Sequence, residues 1–346
     1  MNNQCNGSAN GEIGVFRVRD AERLQEQKGG RSMERAVVTG PTGVVGSALV
    51  KELHRQGVEQ LLLVRGDSPN YARLGGLVRD LTKGGSGAGI TVKACPLDQL
   101  KHFEDDSGTR WDVFYHLGWC GTKGKDRYDP YIHNRNVEYS LDAVRLSKRL
   151  GCSAFVGAGS QAEYGRSDER LTPDTPARPE NAYGIAKLCA GQLTREYARM
   201  LGIRHVWTRI LSVFGPNDGE ATLITSVIRK LKAGEVPAVT AGEQIWDFVS
   251  SRDAARALYL LGEHGRDGET YLIASGREKT LRSYLEDLLA EVAPGGALGY
   301  GQVPYAERQV MHLSADISKT TADTGWKPEL SFREGLRDMI TGTADA

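Results

Sequence analysis

The sequence predicts an α/β fold: a doubly wound parallel sheet with a smaller, mainly helical C-terminal lobe. Three observations carry that reading. Short apolar segments alternate with helix-length segments between residues 35 and 210. The first apolar segment runs into its helix through a turn holding three glycines, and after Gly215 the alternation loosens into helices joined by loops. Strands separated by helices pair in parallel, and right-handed crossovers cover both faces of the sheet.

Taken in order, residues 35–39 are a short apolar strand, and residues 43–56 a helix with Val44, Ala48 and Leu49 on one face. Residues 61–64, 90–94 and 111–117 read as the second, third and fourth strands, followed by a long helix over about 134–150. Residues 154–158 are a fifth strand, then a Pro-rich loop leads to a long helix over 182–201 and a sixth strand over 205–210. Helices over 222–233 and 281–292 belong to the looser part. The organisation expected is therefore a sheet domain over 33–213 with returns at about 242–275, and a substrate lobe over 214–241 and 276–346. Residues 1–32 are polar, lack the apolar segment of a secretion signal, and read as a disordered extension with Met33 as the candidate start.

Composition narrows the function. The 44 Lys and Arg balance 44 Asp and Glu, which removes the electrostatic case for a nucleic-acid binder or a protein that coats anionic membranes. No apolar run reaches the length of a transmembrane helix. Five cysteines without a C-x-x-C spacing argue against a disulfide framework and a structural zinc site, so no metal is expected. A cytoplasmic protein is the reading that remains.

The glycine turn is Gly40-Pro41-Thr42-Gly43-Val44-Val45-Gly46. Glycines at this spacing allow a tight turn, let the backbone approach a pyrophosphate, and open a helix whose first amides donate to it. The expectation is a Rossmann-type dinucleotide site formed by Gly40, Thr42, Gly43, Val44, Val45 and Gly46. Arg65 is the first residue after the second strand, where a basic side chain accommodates a ribose 2′-phosphate and an acidic one accepts the hydroxyls. NADP(H) is favoured; Asp67, two residues on, keeps NAD open.

Tyr183 and Lys187 stand four residues apart at the start of a helix, on one face. An ammonium beside a phenol stabilises the phenolate and lowers its pKa toward the range of an acid–base catalyst. Ser160, at the C-terminal end of the fifth strand, lies where ligands sit in open parallel sheets, and its hydroxyl is suited to hold a substrate oxygen.

With these features the chain resembles the extended short-chain dehydrogenase/reductase family, the NAD(P)-dependent epimerase/dehydratase group acting on nucleotide sugars. The resemblance runs from about residue 33 to 340, through Leu97-Asp98, Tyr115-His116-Leu117-Gly118, Asn136-Val137, Gly159 to Gly165, Arg209 to Pro216, Trp246-Asp247-Phe248-Val249 with Asp253, and Gly325-Trp326-Lys327-Pro328. It implies that Tyr183 is the acid–base, that Lys187 binds the nicotinamide ribose and tunes Tyr183, and that Ser160 polarises the reacting carbonyl. It also implies that Asp98 binds the adenine amine, that Leu117 and Gly118 line the cofactor channel with Leu97 and Val213 as further contacts, and that Asn136 steadies the helix and a relay water. Trp119, Gln161, Ser212 and Thr222 follow strand ends that converge on the cleft and are the expected sugar contacts.

Departures narrow the member. Dehydratases of the family carry Asp-Glu directly after the catalytic Ser/Thr, whereas Gln161-Ala162 follow Ser160 here. Glu163, offset by one position on a segment read as extended, is expected to point elsewhere. Many relatives have Arg where Trp246 stands, pairing with the nucleotide phosphate; Arg308, Lys123 and Lys125 are the replacement candidates, and Trp246 either stacks on a base or packs between lobes. Cys120 and His133 are candidates for a second acid by residue type alone. The leading expectation is an NADPH-dependent reductase of a nucleotide-activated 4-keto-6-deoxy sugar. A nucleotide-sugar 4-epimerase with tightly held NAD is the alternative, and a non-catalytic dinucleotide sensor is the rival of another class. The resemblance further implies a homodimer built on the helices over 134–150 and 182–201.

Overall fold

In the computed structural model, residues 32–68, 70–83 and 87–341 are described, and all but the last residue of the extension expected over 1–32 lies outside them. Chain order in the first half is β1 (Arg35–Thr39), α1 (Val44–Arg55), β2 (Glu59–Val64), α2 (Tyr71–Thr82), β3 (Ile90–Ala94) and β4 (Val113–His116). It continues with α3 (Pro130–Arg149), β5 (Ala154–Ser160), α4 (Ala182–Leu201), β6 (Arg204–Ile210) and β7 (Ser212–Phe214). Then come α5 (Leu223–Lys232), β8 (Ile245–Trp246), β9 (Phe248–Ser250), α6 (Ser251–His264) and β10 (Glu269–Ile273). The chain closes with β11 (Lys279–Thr280), α7 (Leu281–Val292), β12 (His312–Leu313), α8 (Ser318–Thr324) and α9 (Phe332–Thr341).

Seven strands form the central sheet in the order β10-β6-β5-β4-β1-β2-β3, every pair parallel. Strands such as β2 are apolar on both sides because both faces are covered: Leu61, Leu62, Leu63 and Val64 are all buried. Each such side chain contributes about 1.5–3 kcal/mol by leaving water. On one face α1 and α6 pack together through Leu49, Leu53, Ala254, Leu258 and Leu261. On the other, α3 and α4 lie side by side over Phe114 and Phe155. The strand order reverses between β1 and β4, which opens a crevice at the C-terminal ends of the strands.

Several elements depart from expectation for local reasons. Helix α3 starts at Pro130 rather than near 134, because the Asp129 carboxylate caps it, accepting from the amides of Tyr131 (2.8 Å) and Ile132 (3.1 Å). Helix α2 was not expected at all; Gly75-Gly76 weakens its helical pattern and Leu74 is its only fully buried residue. The returns over 242–275 contain a full helix, α6, and the sheet's seventh strand, β10.

The C-terminal lobe is mainly helical, as expected, and adds a three-stranded sheet β11-β8-β12 and the pair β7-β9. Phe214, Ile224, Val227, Leu285, Leu288 and Leu336 form its core. The Gly325-Trp326 segment ties the end of the chain to the sheet domain. Trp326 is fully buried and donates from Nε1 to the Asp253 carbonyl (3.0 Å), while the Asp253 carboxylate accepts from the amides of Glu329 (2.9 Å) and Leu330 (3.0 Å).

Candidate active site

The glycine turn sits at the C-terminal end of β1. Gly40 has φ +71°, and a Cβ there would lie 2.7 Å from the backbone nitrogen of Gly118, so the turn is pressed against the chain leaving β4. At Gly46 a Cβ would lie 2.0 Å from the Gly40 carbonyl oxygen. Both positions need glycine for close packing. Gly43 is different: its nearest obstacle would be 3.9 Å away, it is exposed, and it opens α1 with no side chain capping the helix. Thr42, Val44 and Val45 flank that gap half-buried. Uncapped amides facing open space beside an unhindered glycine fit a dinucleotide pyrophosphate.

The ends of β2, β3 and β4 converge on Cys120. Burial pushes its thiol up, and of the charges that act on it Arg65 lowers and Asp98 raises it, with Arg135 a further lowering charge. Arg65 and Asp98 are both exposed. Leu97 packs on the backbone of Gly118, where a Cβ would come within 2.8 Å of it, and Leu117 packs against the core. This gathers the predicted adenosine-end residues at one place.

Asn136 is fully buried. Its Oδ1 accepts from the Cys120 amide (2.8 Å) and its Nδ2 donates to the carbonyls of Cys120 and Ile132 (3.0 Å each), so it holds the loop after β4 to α3. Beside it runs a network the sequence reading did not anticipate. The Gly118 amide donates to Thr39 Oγ1 (3.2 Å), which meets His116 Nδ1 (2.9 Å); His116 Nε2 meets Ser140 Oγ (3.3 Å), which donates to the Asn136 carbonyl (2.8 Å). These roles put the ring proton on Nε2. Burial, with the Lys187 charge adding to it, pushes the pKa of His116 down to about 3, so the ring is neutral.

Ser160 ends β5 and caps the 3-10 turn Gln161–Glu163. Its Oγ accepts from the Ala162 amide (3.2 Å) and donates to Gln161 Oε1 (3.3 Å). Glu163 does not lie on an extended segment, as the sequence reading had it. The turn folds its carboxylate back beneath Ser160, where it accepts from the Ser160 amide (2.8 Å), Trp207 Nε1 (3.1 Å) and Arg209 Nε (2.6 Å). Glu163 is fully buried and its partner Arg209 nearly so.

Helix α4 begins with Asn181, whose Oδ1 accepts from the Gly184 amide (2.9 Å), setting Tyr183 in the first turn beside Ser160. Tyr183 and Lys187 are both buried. Burial raises the phenol's pKa, while the Ser160 hydroxyl and the Arg127 charge oppose it. Lys187 also faces the Tyr183 ring, but from a longer range than a second cation, Arg127. Lys187 Nζ donates to the Ala158 carbonyl (2.5 Å), stands 3.8 Å over the Trp119 ring and lies 5.9 Å from the centre of the Tyr183 ring. Burial pulls its pKa down to about 7, with Glu163 opposing. The Arg127 guanidinium, absent from the sequence reading, lies 4.2 Å over the Tyr183 ring.

Next to this cluster is a cavity of about 430 Å³ between β7, α5, β8 and α7. Ser212, Val213, Thr222 and Trp246, all predicted, are on its wall, with Asp218 and Gln244. Trp246 donates from Nε1 to Ser212 Oγ (2.8 Å) and packs near Phe248, so it joins the lobes while facing the cavity. Asp247 is buried and points away, accepting from the amides of Ser275 (2.8 Å) and Gly276 (2.9 Å). Arg308 is exposed, its charge acting on Glu180, and the cavity wall there is formed by Gln309. Lys123 reaches the rim at Gly219, near Asp218. Among the described residues no group of three His, Cys, Asp or Glu is placed to hold a metal, and no helix is long and apolar enough to cross a membrane.

The sequence profile of the NAD dependent epimerase/dehydratase family matches residues 36–274. This chain belongs to that family. Similar proteins include the dTDP-glucose 4,6-dehydratase of Escherichia coli, 24% identical with 88% of this chain and 91% of the relative covered. Among solved structures, the UDP-glucose 4-epimerase of Thermotoga maritima with UDP-glucose superposes with a TM-score of 0.75 at 23% identity, covering 89% of this chain and 97% of its own. RMD from Pseudomonas aeruginosa, complexed with NADPH, gives 0.71 at 22% identity, covering 89% and 98%. The protein is thus an enzyme of the extended short-chain dehydrogenase/reductase type, with a family glycine turn that fits the dinucleotide.

Proposed function

We propose that this epimerase/dehydratase-family enzyme is an NADPH-dependent reductase of a nucleotide-activated 4-keto-6-deoxy sugar. The observation that carries this reading is the Ser160–Tyr183 pair with its nearest carboxylate, Glu163, locked under the strand end by Arg209 and Trp207. Such a site can protonate a carbonyl oxygen, while the Glu163 carboxylate, held by Arg209 and Trp207, is not free to remove a proton for elimination of water. Gly40, Thr42, Gly43, Val44, Val45 and Gly46 would hold the pyrophosphate, and Leu97, Asp98, Leu117, Gly118 and Val213 the rest of the cleft. Arg65 stands exposed where a 2′-phosphate would need a cation.

When bound, the nicotinamide supplies hydride to C4 of the sugar. Tyr183 delivers the proton to O4, and Ser160 Oγ turns its hydrogen from Gln161 Oε1 to the same oxygen, so the developing charge meets two donors. Lys187 keeps hydrogens beyond its bond to Ala158 for the nicotinamide ribose. Trp119 and Gln161 border the sugar. The cavity behind Ser212, Thr222 and Trp246 takes the activated half, with Lys123 at its rim and Arg308 outside it. A second copy pairs through α3 and α4, where Ile185, Leu193 and Met200 are exposed on α4.

The test needs no substrate. The purified protein is denatured, any released nucleotide is identified, and the emptied protein is titrated with NADPH and NADH. An exchangeable site that prefers NADPH, with the preference lost in Arg65→Ala, is the expected result. Stoichiometric, tightly retained NAD would overturn the reductase reading in favour of a nucleotide-sugar 4-epimerase.

A further inference from the structure

The loop between β4 and α3 is built into the catalytic cluster. Its 3-10 turn, Gly124–Tyr128, carries Arg127, whose guanidinium lies over the ring of Tyr183 at 4.2 Å. The backbone of Arg127 is fixed from α3: His133 Nε2 bonds to the Arg127 carbonyl (3.1 Å), and His133 Nδ1 accepts from Trp119 Nε1 (3.2 Å). The guanidinium is itself braced, its Nη1 reaching the Thr122 carbonyl (3.4 Å). His133 stands edge-on to Tyr183 at 5.5 Å, and Trp119 does so at 6.2 Å, so loop and helix together wall in the phenol.

The charged and titratable groups facing the phenol come from four elements. They are Arg127 from the loop, His133 from α3, Glu163 from the turn after β5, and Lys187 from α4 itself. Burial pushes the pKa of His133 down, its bond to the Arg127 carbonyl opposing, and its Nδ1 accepts from Trp119. Glu163 is committed to Arg209, and Lys187 to the Ala158 carbonyl. Arg127 is therefore the cation whose charge acts directly on the phenol.

We propose that Arg127 is a positioning residue for Tyr183, held by His133 and Trp119 so that its guanidinium orients the phenol and favours its ionised form. This rests on Tyr183 being the acid–base. A cation within about 4–6 Å lowers the pKa of an acidic group by about one to three units. Removing it should raise the titration of Tyr183 by at least about one unit. In the direction that oxidises an alcohol, where the phenolate is the base, kcat below that pKa should then fall about tenfold per unit.

The primary experiment reads the phenol without turnover. Isotope-labelled tyrosine in the full chain is followed by NMR against pH, with Tyr183→Phe identifying the resonance, in wild type and in Arg127→Gln and Arg127→Lys. An upward shift of about one unit or more in Arg127→Gln, with partial recovery in Arg127→Lys, is the expected result. Identical titrations in wild type and Arg127→Gln, including no titration in either, overturn the proposal. NADPH affinity of the same variants is measured alongside. It should stay within about twofold of wild type, and a collapse would mean that Arg127 binds ligand instead. Inactivity of the wild type toward every 4-keto sugar tried would refute the substrate reading and leave the titration result standing.

Discussion

Replacing Glu163 with Gln removes one charge and almost no volume from the best-connected buried position near the site. In the native protein this carboxylate accepts from the Ser160 amide at 2.8 Å, Trp207 Nε1 at 3.1 Å and Arg209 Nε at 2.6 Å, with no exposure of its own. A glutamine oxygen can still accept from the Ser160 amide or the Trp207 indole. Its amide group, however, meets the Arg209 guanidinium donor to donor. Arg209 then keeps a charge that burial disfavours and that Glu163 had sustained. Breaking one side of a buried ion pair costs about 3–5 kcal/mol. At about 2 °C for each kcal/mol in a chain of this size, Glu163→Gln should lower the midpoint of thermal unfolding by about 6–10 °C. The loss should be smaller in Glu163→Gln with Arg209→Gln, because the orphaned charge is gone. Scanning calorimetry of wild type, both single variants and the double variant checks this. A Glu163→Gln midpoint within about 2 °C of wild type, the resolution set by the same scale, would refute the view that this pair anchors the catalytic strand end.

Two further outcomes follow from the fold. His116 is held neutral with a pKa of about 3, against 6.5 unfolded, so between those values the unfolded chain binds the extra proton. Its contribution to stability is full above pH 6.5 and is lost as pH falls toward 3, by about 1.4 kcal/mol per pH unit. Urea unfolding across that window should therefore show a shallower pH slope in His116→Asn than in wild type, and equal slopes would refute the assignment. The homodimer is checked by mass at micromolar concentration: two copies are expected, with Leu193→Glu on the exposed row of α4 favouring one, and a monomeric wild type would remove the claim.

What could be read directly from the chain was whatever depends on neighbours in sequence. The glycine turn at Gly40, Gly43 and Gly46, the one-turn spacing of Tyr183 and Lys187, and the alternation of apolar segments are local patterns, and the sheet, its helices and the place of Ser160 followed from them. Locality also explains the misses. Helix α2 sets Leu74, Leu77, Val78 and Leu81 on the core, but Gly75-Gly76 interrupts that pattern, and β10 pairs with β6 while α6 packs mainly on α1, partners earlier in the chain.

The charges of the site belong to tertiary structure. Nothing within four residues of Tyr183 says that Arg127, more than fifty positions earlier, lies over its ring while Lys187 turns to a strand carbonyl. Nor does the segment Gln161-Ala162-Glu163 say that Glu163 folds beneath Ser160 to meet Arg209 on β6. The sequence by itself determined the fold class, the glycine turn and the one-face spacing of Tyr183 and Lys187, because backbone conformation and helical periodicity act over a few residues. Only the folded chain decided which cation stands nearest the phenol ring, which carboxylate is withdrawn and how Asn136 and His116 brace the loop. Electrostatic energies depend on distance and burial in space, and the packing of β4, β5 and β6 against α3 and α4 sets both.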